Sequence, residues 1–258
     1  MSQDATSGAD PKRSIDLLWG STEPGRRGPK PRYSVEEVVA AAIAVADAEG
    51  LGAISVRRIA VELGVSPMSI YTYVPSKAEL VLLMYDRVLG ETRDPEAVCD
   101  GWRERLMFIA AERWTLCERH PWMLDLAMHR PPLGPNLLER HEAALRILAG
   151  TGLDEITKDL VIDVLHHYLL GALKQAREAR EVERESGLTD EQWFAEAEPA
   201  IMARLEPGKF PNLMRLGEAW REIDKAQFAD PQWRFRFGLQ VVLDGIEALI
   251  AARPARPS

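Results

Sequence analysis

The sequence predicts an all-α protein, in which an N-terminal three-helix unit of the helix-turn-helix type is joined by a fourth helix to a larger C-terminal helical bundle. Apolar residues recur at helical spacing from Val35 to Leu249, and capping residues precede most of these runs. No segment alternates apolar and polar residues for long enough to predict a strand. The 258 residues are 46% hydrophobic and 28% charged, a composition typical of a folded globular protein.

Composition excludes several classes of protein. No apolar run approaches the ~18 residues of a membrane span, and residues 1–30 contain no apolar signal segment. Two cysteines, Cys99 and Cys117, are too few for a disulfide framework or a four-thiolate zinc site. We therefore expect a cytoplasmic protein with no cofactor, no metal and no membrane partner.

The first two helices of the N-terminal unit have clear start and stop signals. Ser34 and Glu37 form an S-x-x-E capping box that begins the first helix, and Gly50 ends it. Ser55 is the predicted N-cap of the second helix. Gly64 then supplies the left-handed residue of a tight turn.

The third and fourth helices follow directly. Ser66 and Pro67 begin a helix that the pattern extends to about Val74, because Pro75 cannot continue it. Ser76 caps a fourth helix, which runs through Val88. Two short helices joined by a glycine turn behind a longer helix are the layout of a helix-turn-helix module.

The periodicity then predicts six further helices: 101–119, 121–130, 135–149, 155–184, 191–205 and 232–252. Residues 159–174 are apolar nearly all round, and the last helix has a coiled-coil-like stripe in which Gly238 and Gly245 allow close approach. Core packing within one subunit explains both features. A four-helix interface between two subunits explains them as well, and its residues would be Leu165, Leu169, Phe235, Leu239, Val242, Ile246 and Leu249.

Positive charge is concentrated near the N-terminus, although the formal net charge is −8. Residues 24–32 hold four basic side chains and no acidic one, which predicts a basic arm over residues 1–32. In a helix-turn-helix protein the N-terminal end of the third helix meets base edges in the major groove. Pro67, Met68 and Ser69 occupy that end, with Thr72 one turn further on.

Phosphate contacts are predicted nearby. Tyr71 and Tyr73 carry hydroxyl groups suited to phosphate oxygens, although a core position would also suit either ring. Lys77 lies in the first turn of the fourth helix, where free backbone N–H groups assist anion binding.

The segment Ser55–Leu80 resembles the DNA-binding signature of the tetracycline-repressor (TetR) family of bacterial transcription regulators. It reads SVRRIAVELGVSPMSIYTYVPSKAEL, with the Ile-Ala pair, the Gly-Val-Ser turn, the hydrophobic-Tyr pair and the Ser-Lys-x-x-Leu start of the fourth helix. The resemblance covers about residues 33–88. A weaker similarity to the C-terminal domain of the tetracycline repressor includes Leu169-Leu170-Gly171-Ala172.

The resemblance implies that Arg57 contacts a base or phosphate and Ser55 a phosphate, whereas an intramolecular ion pair is an equal alternative for Arg58. The predicted DNA-binding residues are Arg26, Arg27, Arg32, Tyr33, Ser55, Arg57, Ser66, Pro67, Met68, Ser69, Tyr71, Thr72, Tyr73 and Lys77.

The resemblance also implies a mechanism, in which a small molecule in the C-terminal domain shifts the fourth helix and releases a palindromic operator from a homodimeric repressor. The predicted domains are an arm over 1–32, a DNA-binding domain over 33–80 and a ligand-binding and dimerisation domain over 81–253. The pocket candidates are Trp114, Cys117, Trp122, Met128, His129, His141, His167 and Tyr168. The His-x-x-Thr arrangement for chelated tetracycline is absent at Met128–Pro132, so neither tetracycline nor magnesium is carried over.

The alternative function is that of a helix-turn-helix adaptor or architectural protein, which would bind DNA without a small-molecule ligand. Catalysis is not predicted, because Gly64–Met68 lacks the last glycine of a nucleophile elbow and Leu145 replaces the second ligand of a zinc-protease box that begins at His141. We expect the protein to be associated with the nucleoid.

Overall fold

A computed structural model describes residues 8–20, 32–126, 130–206, 208–222 and 230–252. No strand occurs in these ranges, in agreement with the all-α prediction. The same ranges hold no helix that is both long and apolar enough to cross a bilayer. The α-helices are α1 (Pro11–Leu18), α2 (Val35–Glu49), α3 (Val56–Leu63), α4 (Pro67–Tyr71), α5 (Lys77–Leu89), α6 (Trp102–Arg119), α7 (Pro135–Ile147), α8 (Glu155–Ser186), α9 (Asp190–Met202), α10 (Pro211–Glu222) and α11 (Pro231–Ala251).

The predicted capping box begins α2. The backbone N–H of Glu37 donates to Ser34 Oγ at 3.2 Å, and the backbone N–H of Ser34 donates to Glu37 Oε2 at 2.7 Å. These two bonds satisfy backbone donors that the first turn of a helix leaves without partners. Gly50, at φ 83°, ends the helix as predicted.

The turn between α3 and α4 forms at the predicted glycine. Gly64 lies in the left-handed region, with φ 62° and ψ 40°, and the N–H of Val65 donates to the carbonyl of Ala60 at 3.0 Å. Ser66 caps α4, and Pro67 occupies its first position. Because a residue that precedes a proline is disfavoured in the α conformation, the chain leaves α4 before Val74, and the helix is shorter than predicted.

Helix α5 is the most deeply buried helix of residues 1–159. Of its residues only Lys77 and Arg87 are exposed. Its core-facing side chains pack with Val38, Ile59 and Ile70, which are fully buried. The helix contacts α1, α2 and α7, so it joins the helix-turn-helix unit to the helices that follow.

The prediction of an arm over the whole of residues 1–32 is wrong for residues 11–18, which form α1. Asp10 caps this helix through the N–H of Arg13 at 2.8 Å. Arg13 also donates to the buried carboxylate of Glu79 from Nε at 2.9 Å, and Trp19 Nε1 donates to the carbonyl of Leu133 at 2.9 Å. The partners of α1 lie more than 60 residues away along the chain, so the local sequence pattern gives no sign of them.

The second buried carboxylate of α5 caps α7. Asp86 Oδ1 accepts the backbone N–H of Leu137 at 2.9 Å, and its Oδ2 accepts the side-chain amide of Asn136 at 2.9 Å. A side chain at Gly134 would collide with this carboxylate, so the close approach requires glycine there. Before α7, the predicted helix 121–130 is a 3₁₀ helix over Pro121–Asp125.

Contacts divide the chain into residues 1–159 and residues 160–258. Within the second unit, Tyr168 of α8 donates to the carbonyl of Phe235 of α11 at 2.5 Å, and the two rings stack 6.1 Å apart. Gly238 lies directly under the Tyr168 ring, in agreement with the predicted close approach at this glycine, whereas Gly245 has no side chain or backbone close to it in the described residues. Helix α10 has no counterpart among the predicted helices.

The buried charge of Glu79 makes stability dependent on pH. Burial acts to raise the pKa of this carboxyl, but hydrogen bonds from Ser76 and Arg13 outweigh it and hold the pKa below its ordinary value of 4.5. The ionised form is therefore stabilised by folding. Its contribution is present at pH 7 and is lost as the pH falls below 4.5 towards the folded-state pKa.

We expect Glu79→Gln to lower the free energy of unfolding at pH 7 by about 1–3 kcal/mol, because the bonds from Arg13 and Ser76 lose a charged acceptor. Urea titrations at one protein concentration, between pH 7 and pH 4, measure the difference from wild type. That difference should shrink below pH 4.5, and Glu139→Gln at an exposed position should show none. A difference that stays constant with pH would contradict the assignment.

Candidate nucleic-acid interface

Helix α4 has one buried side chain, and the two residues at its start are exposed. Ile70 is fully buried, whereas Pro67 is exposed and the Met68 side chain is 73% exposed. An exposed methionine at the start of a rigidly capped helix is available for apolar contact with a thymine methyl group. The geometry therefore presents the predicted end of this helix to a partner.

The hydroxyl groups around α4 are held by local hydrogen bonds. Ser66 Oγ accepts the backbone N–H of Ser69 at 3.3 Å and lies 2.9 Å from Ser69 Oγ. Thr72 Oγ1 donates to the carbonyl of Ser69 at 2.6 Å. Because its proton is used there, Thr72 can offer DNA its methyl group or accept a hydrogen bond, but it cannot donate one.

The three tyrosines near α4 differ in what they can donate. Tyr33 donates its hydroxyl proton to the carbonyl of Leu63 at 2.7 Å and its backbone N–H to Tyr73 Oη at 3.2 Å. A phosphate oxygen only accepts hydrogen bonds, so Tyr33 has no donor left for one. We therefore correct its predicted role: Tyr33 positions the start of α2 against the end of α3.

Tyr71 and Tyr73 retain the predicted chemistry. The Tyr71 ring is exposed. Tyr73 is half-buried, and its hydroxyl accepts the bond from Tyr33, which leaves the Tyr73 proton available for a phosphate. Neither ring is fully buried, so the core alternative does not apply to Tyr71 or Tyr73.

The two arginines that open α3 have different surroundings. Arg58 forms ion pairs with Glu49 at 2.6 Å and with Glu62 at 2.9 Å, and these bonds raise the pKa of the Arg58 guanidinium. The intramolecular alternative for Arg58 is the one that forms. Arg57 is exposed and has no ion pair or hydrogen bond with any described residue, so its charge remains available.

Three further predicted contacts lie around this surface. Ser55 Oγ accepts the N–H of Arg58 at 3.1 Å, so the Ser55 hydroxyl proton remains available. Lys77 is exposed at the first position of α5 and has no partner in the described part of the chain. Arg32 lies over the Tyr33 ring at 5.5 Å. The predicted contacts Arg26 and Arg27 lie outside the described residues.

A polar cluster around the buried His120 joins α2 to the segment that follows α6. Asp47 Oδ1 lies 2.8 Å from His120 Nδ1 and accepts the indole N–H of Trp122 at 2.8 Å. His120 Nε2 lies 3.2 Å from Glu91 Oε2, which also accepts from Arg119 at 2.8 Å. This cluster was missed by the sequence analysis, because its members are separated by up to 75 residues.

The predicted pocket residues have different surroundings. Trp122 is fully buried, and its indole N–H donates to Asp47, so its part in a pocket stays a prediction. His141 pairs with Asp159 at 3.0 Å. Trp114 and Cys117 are buried on α6, whereas Met128 and His129 lie outside the described residues.

Two pocket candidates, His167 and Tyr168, line an open cavity of about 390 Å³ in residues 160–258. The cavity lies between α8, the start of α9 and the start of α11, and Phe235 and Arg234 also line it. Apolar walls with a few polar groups are typical of small-molecule sites.

The predicted dimer residues are largely buried inside one chain. Leu165, Leu169, Phe235, Leu239 and Ile246 are each less than 8% exposed without any second subunit. These five side chains pack inside one chain, and their part in a dimer interface stays a prediction. Val242 is half-buried, and only Leu249 of the predicted set is exposed.

Other apolar side chains of the same helices are more than half exposed. On each helix they are four residues apart: Leu160 and Val164 on α8, and Phe237 and Val241 on α11. Exposed apolar patches of this kind mark surfaces that bind other proteins.

Two family models match the chain. Residues 38–84 match the model described as bacterial regulatory proteins of the tetR family, and residues 94–250 match the model of the tetracyclin repressor-like C-terminal domain. The HTH-type transcriptional repressor DrrR1 of Streptomyces coeruleorubidus is 39% identical over 250 residues, which cover 96% of this chain and 90% of that protein.

Solved structures with similar folds include ActR of Streptomyces coelicolor. Its apo form has a TM-score of 0.69 and 26% identity, and the similarity covers 87% of this chain and 99% of that one. ActR in complex with actinorhodin gives the same score and identity, over 84% of this chain and 96% of that one.

We expect Arg57→Ala and Lys77→Ala each to weaken binding to mixed-sequence duplex DNA and to lower the slope of log affinity against log salt by about one, because each removes a single phosphate contact. Fluorescence anisotropy across a salt series measures the slope. Arg58→Ala is the matched control, since its charge is already paired with Glu49 and Glu62. Unchanged slopes in both variants would remove these cations from the interface.

Proposed function

The chain belongs to the TetR family of bacterial regulatory proteins and is a DNA-binding transcriptional regulator; we propose that it represses transcription as a homodimer, which releases a palindromic operator when a small molecule binds to its C-terminal domain. The observation that carries this proposal is the exposed start of α4, together with the exposed cations Arg57 and Lys77, which have no ion pair with any residue that the structure describes. The 39% identity to a repressor over nearly the whole chain supports repression as the outcome.

Residues 33–80 are assigned to DNA binding, and the contacts divide into two sets. Pro67, Met68 and Ser69 face base edges, since the N-terminal end of a recognition helix enters the major groove. Phosphate contacts come from the remaining polar groups at the surface of this module: Arg32, Ser55, Arg57, Ser66, Tyr71, Thr72, Tyr73 and Lys77, together with Arg26 and Arg27 of the arm.

Residues 81–253 are assigned to ligand binding and dimerisation. The exposed face formed by Leu160, Val164, Phe237 and Val241 is the dimer surface in this proposal, because pairing removes four large apolar side chains from water. A dimer places two copies of α4 one helical turn of DNA apart, about 34–36 Å, which accounts for a palindromic operator.

Operator release requires a connection between ligand and recognition helix, and α5 with the Asp47–His120–Glu91 cluster supplies a candidate. Both join the helix-turn-helix unit to the helices that follow. A small change in the distance between two α4 helices costs much affinity, because both must fit successive grooves. Such a protein acts in the cytoplasm at the nucleoid.

The proposal is tested by selection of bound duplexes from a random DNA library with the full-length protein. We expect a palindromic sequence whose half-sites are one helical turn apart. A library that yields no enriched sequence at low salt would overturn the proposal. A thermal-shift screen of metabolites against the same protein then tests ligand response, since a ligand that binds the folded state raises the melting temperature.

We expect Val241→Asp to convert the dimer into a 28.9-kDa monomer at micromolar concentration, because an uncompensated charge at the centre of the apolar face opposes pairing. Size-exclusion chromatography with light scattering measures the mass. Val98→Asp, at an equally exposed valine in residues 1–159, serves as the control and should remain dimeric. A Val241→Asp protein that stays dimeric would place the interface elsewhere.

A further inference from the structure

Two arginines of residues 1–159 lie on contacting helices, α6 and α7, and neither forms an ion pair within the described residues. Arg113 of α6 is nine-tenths buried, and its Nη2 donates to the Tyr85 hydroxyl of α5 at 2.9 Å. Arg140 of α7 is partly buried and close enough to Arg113 for the two charges to repel each other. Burial and this repulsion lower the pKa of Arg140 to about 10.

The nearest carboxylate is already engaged. Glu112 accepts hydrogen bonds from the backbone N–H of Arg93 at 3.0 Å and from the Arg93 guanidinium at 2.8 Å. The same carboxylate also attracts the charge of Arg140. Two guanidiniums, those of Arg93 and Arg140, therefore share one carboxylate. Within the described residues, Arg140 has no hydrogen bond or ion pair, and Arg113 bonds only to Tyr85.

Uncompensated buried charges are costly, and proteins seldom retain them without an oppositely charged partner. We propose that Tyr85, Arg113 and Arg140 form an anion-binding subsite, and that it takes the carboxylate of an aromatic acid which acts as the effector. The inference rests on the proposed function, and it specifies the chemical class of the small molecule.

The geometry fits a carboxylate. A guanidinium presents paired N–H donors that match the two carboxylate oxygens. Because the Tyr85 oxygen accepts the bond from Arg113, its own proton is directed elsewhere and can be donated to an anion. The partial exposure of Arg140 leaves one edge of the cluster accessible.

The neighbouring side chains favour an aromatic body on the acid. Ala110, Arg113, Trp114 and Cys117 occur at positions i, i+3, i+4 and i+7 of α6, so they share one buried face. On α7, Arg140 shares its face with the buried Ala144 and Ile147. Each arginine thus emerges from an apolar surface, which suits a flat apolar ligand with one anionic group.

The site also contacts the helix that leads to the DNA-binding unit. Tyr85 is next to Asp86, which caps α7, and both belong to α5. An anion held by Tyr85, Arg113 and Arg140 would draw α5, α6 and α7 around one charge. Ligand binding would in this way act directly on the helix proposed to transmit the signal.

The test compares aromatic acids with their uncharged amides on the full-length protein. The probes are benzoate, 2-naphthoate and anthracene-2-carboxylate, each paired with its primary amide. Thermal shift and release of the selected operator duplex are the two measurements. We expect wild type to bind at least one acid about tenfold or more tightly than its amide, as is typical of charge-assisted hydrogen bonds.

Arg140→Met should remove this preference and leave the unliganded melting temperature unchanged or a few degrees higher, because it removes a repelled, partly buried charge. Arg140→Gln gives a second variant, should the methionine disturb folding. Arg146→Met, at an exposed arginine of the same helix, is the matched control and should retain the preference.

A wild-type protein that prefers no acid over its amide, or an Arg140→Met protein that keeps the preference, would overturn the anion site. A wild-type protein that selects no duplex at all would overturn the proposed function instead. A duplex that is bound tightly and released equally by acid and amide would overturn the anion site alone.

Discussion

The position of α5 depends on two buried carboxylates of this helix, Glu79 in its first turn and Asp86 in its third. A buried carboxylate is tolerated only when hydrogen bonds replace its lost water. Glu79 finds them in Ser76 and in Arg13 of α1, and Asp86 finds them at the start of α7. The requirement that both charges be satisfied therefore fixes α1 and α7 against the same helix.

This arrangement makes α5 a shared support for the helix-turn-helix unit and for the helices that follow it within residues 1–159. Its first residue, Lys77, belongs to the proposed DNA-binding surface, and its Tyr85 accepts a hydrogen bond from Arg113. Because a packed interior deforms little, a displacement of α7 is passed on to α5 rather than absorbed. The Asp47–His120–Glu91 cluster adds a second connection, from α2 to the end of α6.

Local pairing of charges explains how a chain with a net charge of −8 presents a DNA-binding surface. Glu49 and Glu62 neutralise Arg58, and Arg57 and Lys77 are left without acidic partners in the described structure. The field at the groove depends on such near neighbours, because salt screens charges beyond about 8–10 Å. The acidic remainder of the chain opposes unspecific adhesion to DNA.

The sequence by itself determined the helix-turn-helix unit, and it did so through interactions that span few residues. The caps at Ser34, Ser55 and Ser66 and the left-handed Gly64 each act within about four residues, so their spacing specifies the local structure. Only the tertiary structure decided which partner each longer-range side chain takes. Phe235 and Leu239 of the stripe on the last helix are buried within one chain, which the spacing of the stripe does not determine. Three such interactions are the bond from Tyr33 to Leu63, the bond from Arg13 of α1 to Glu79, and the repulsion between Arg113 and Arg140. Each joins residues that are dozens of positions apart. Such contacts depend on how the helices pack, and they leave no periodic pattern in the sequence.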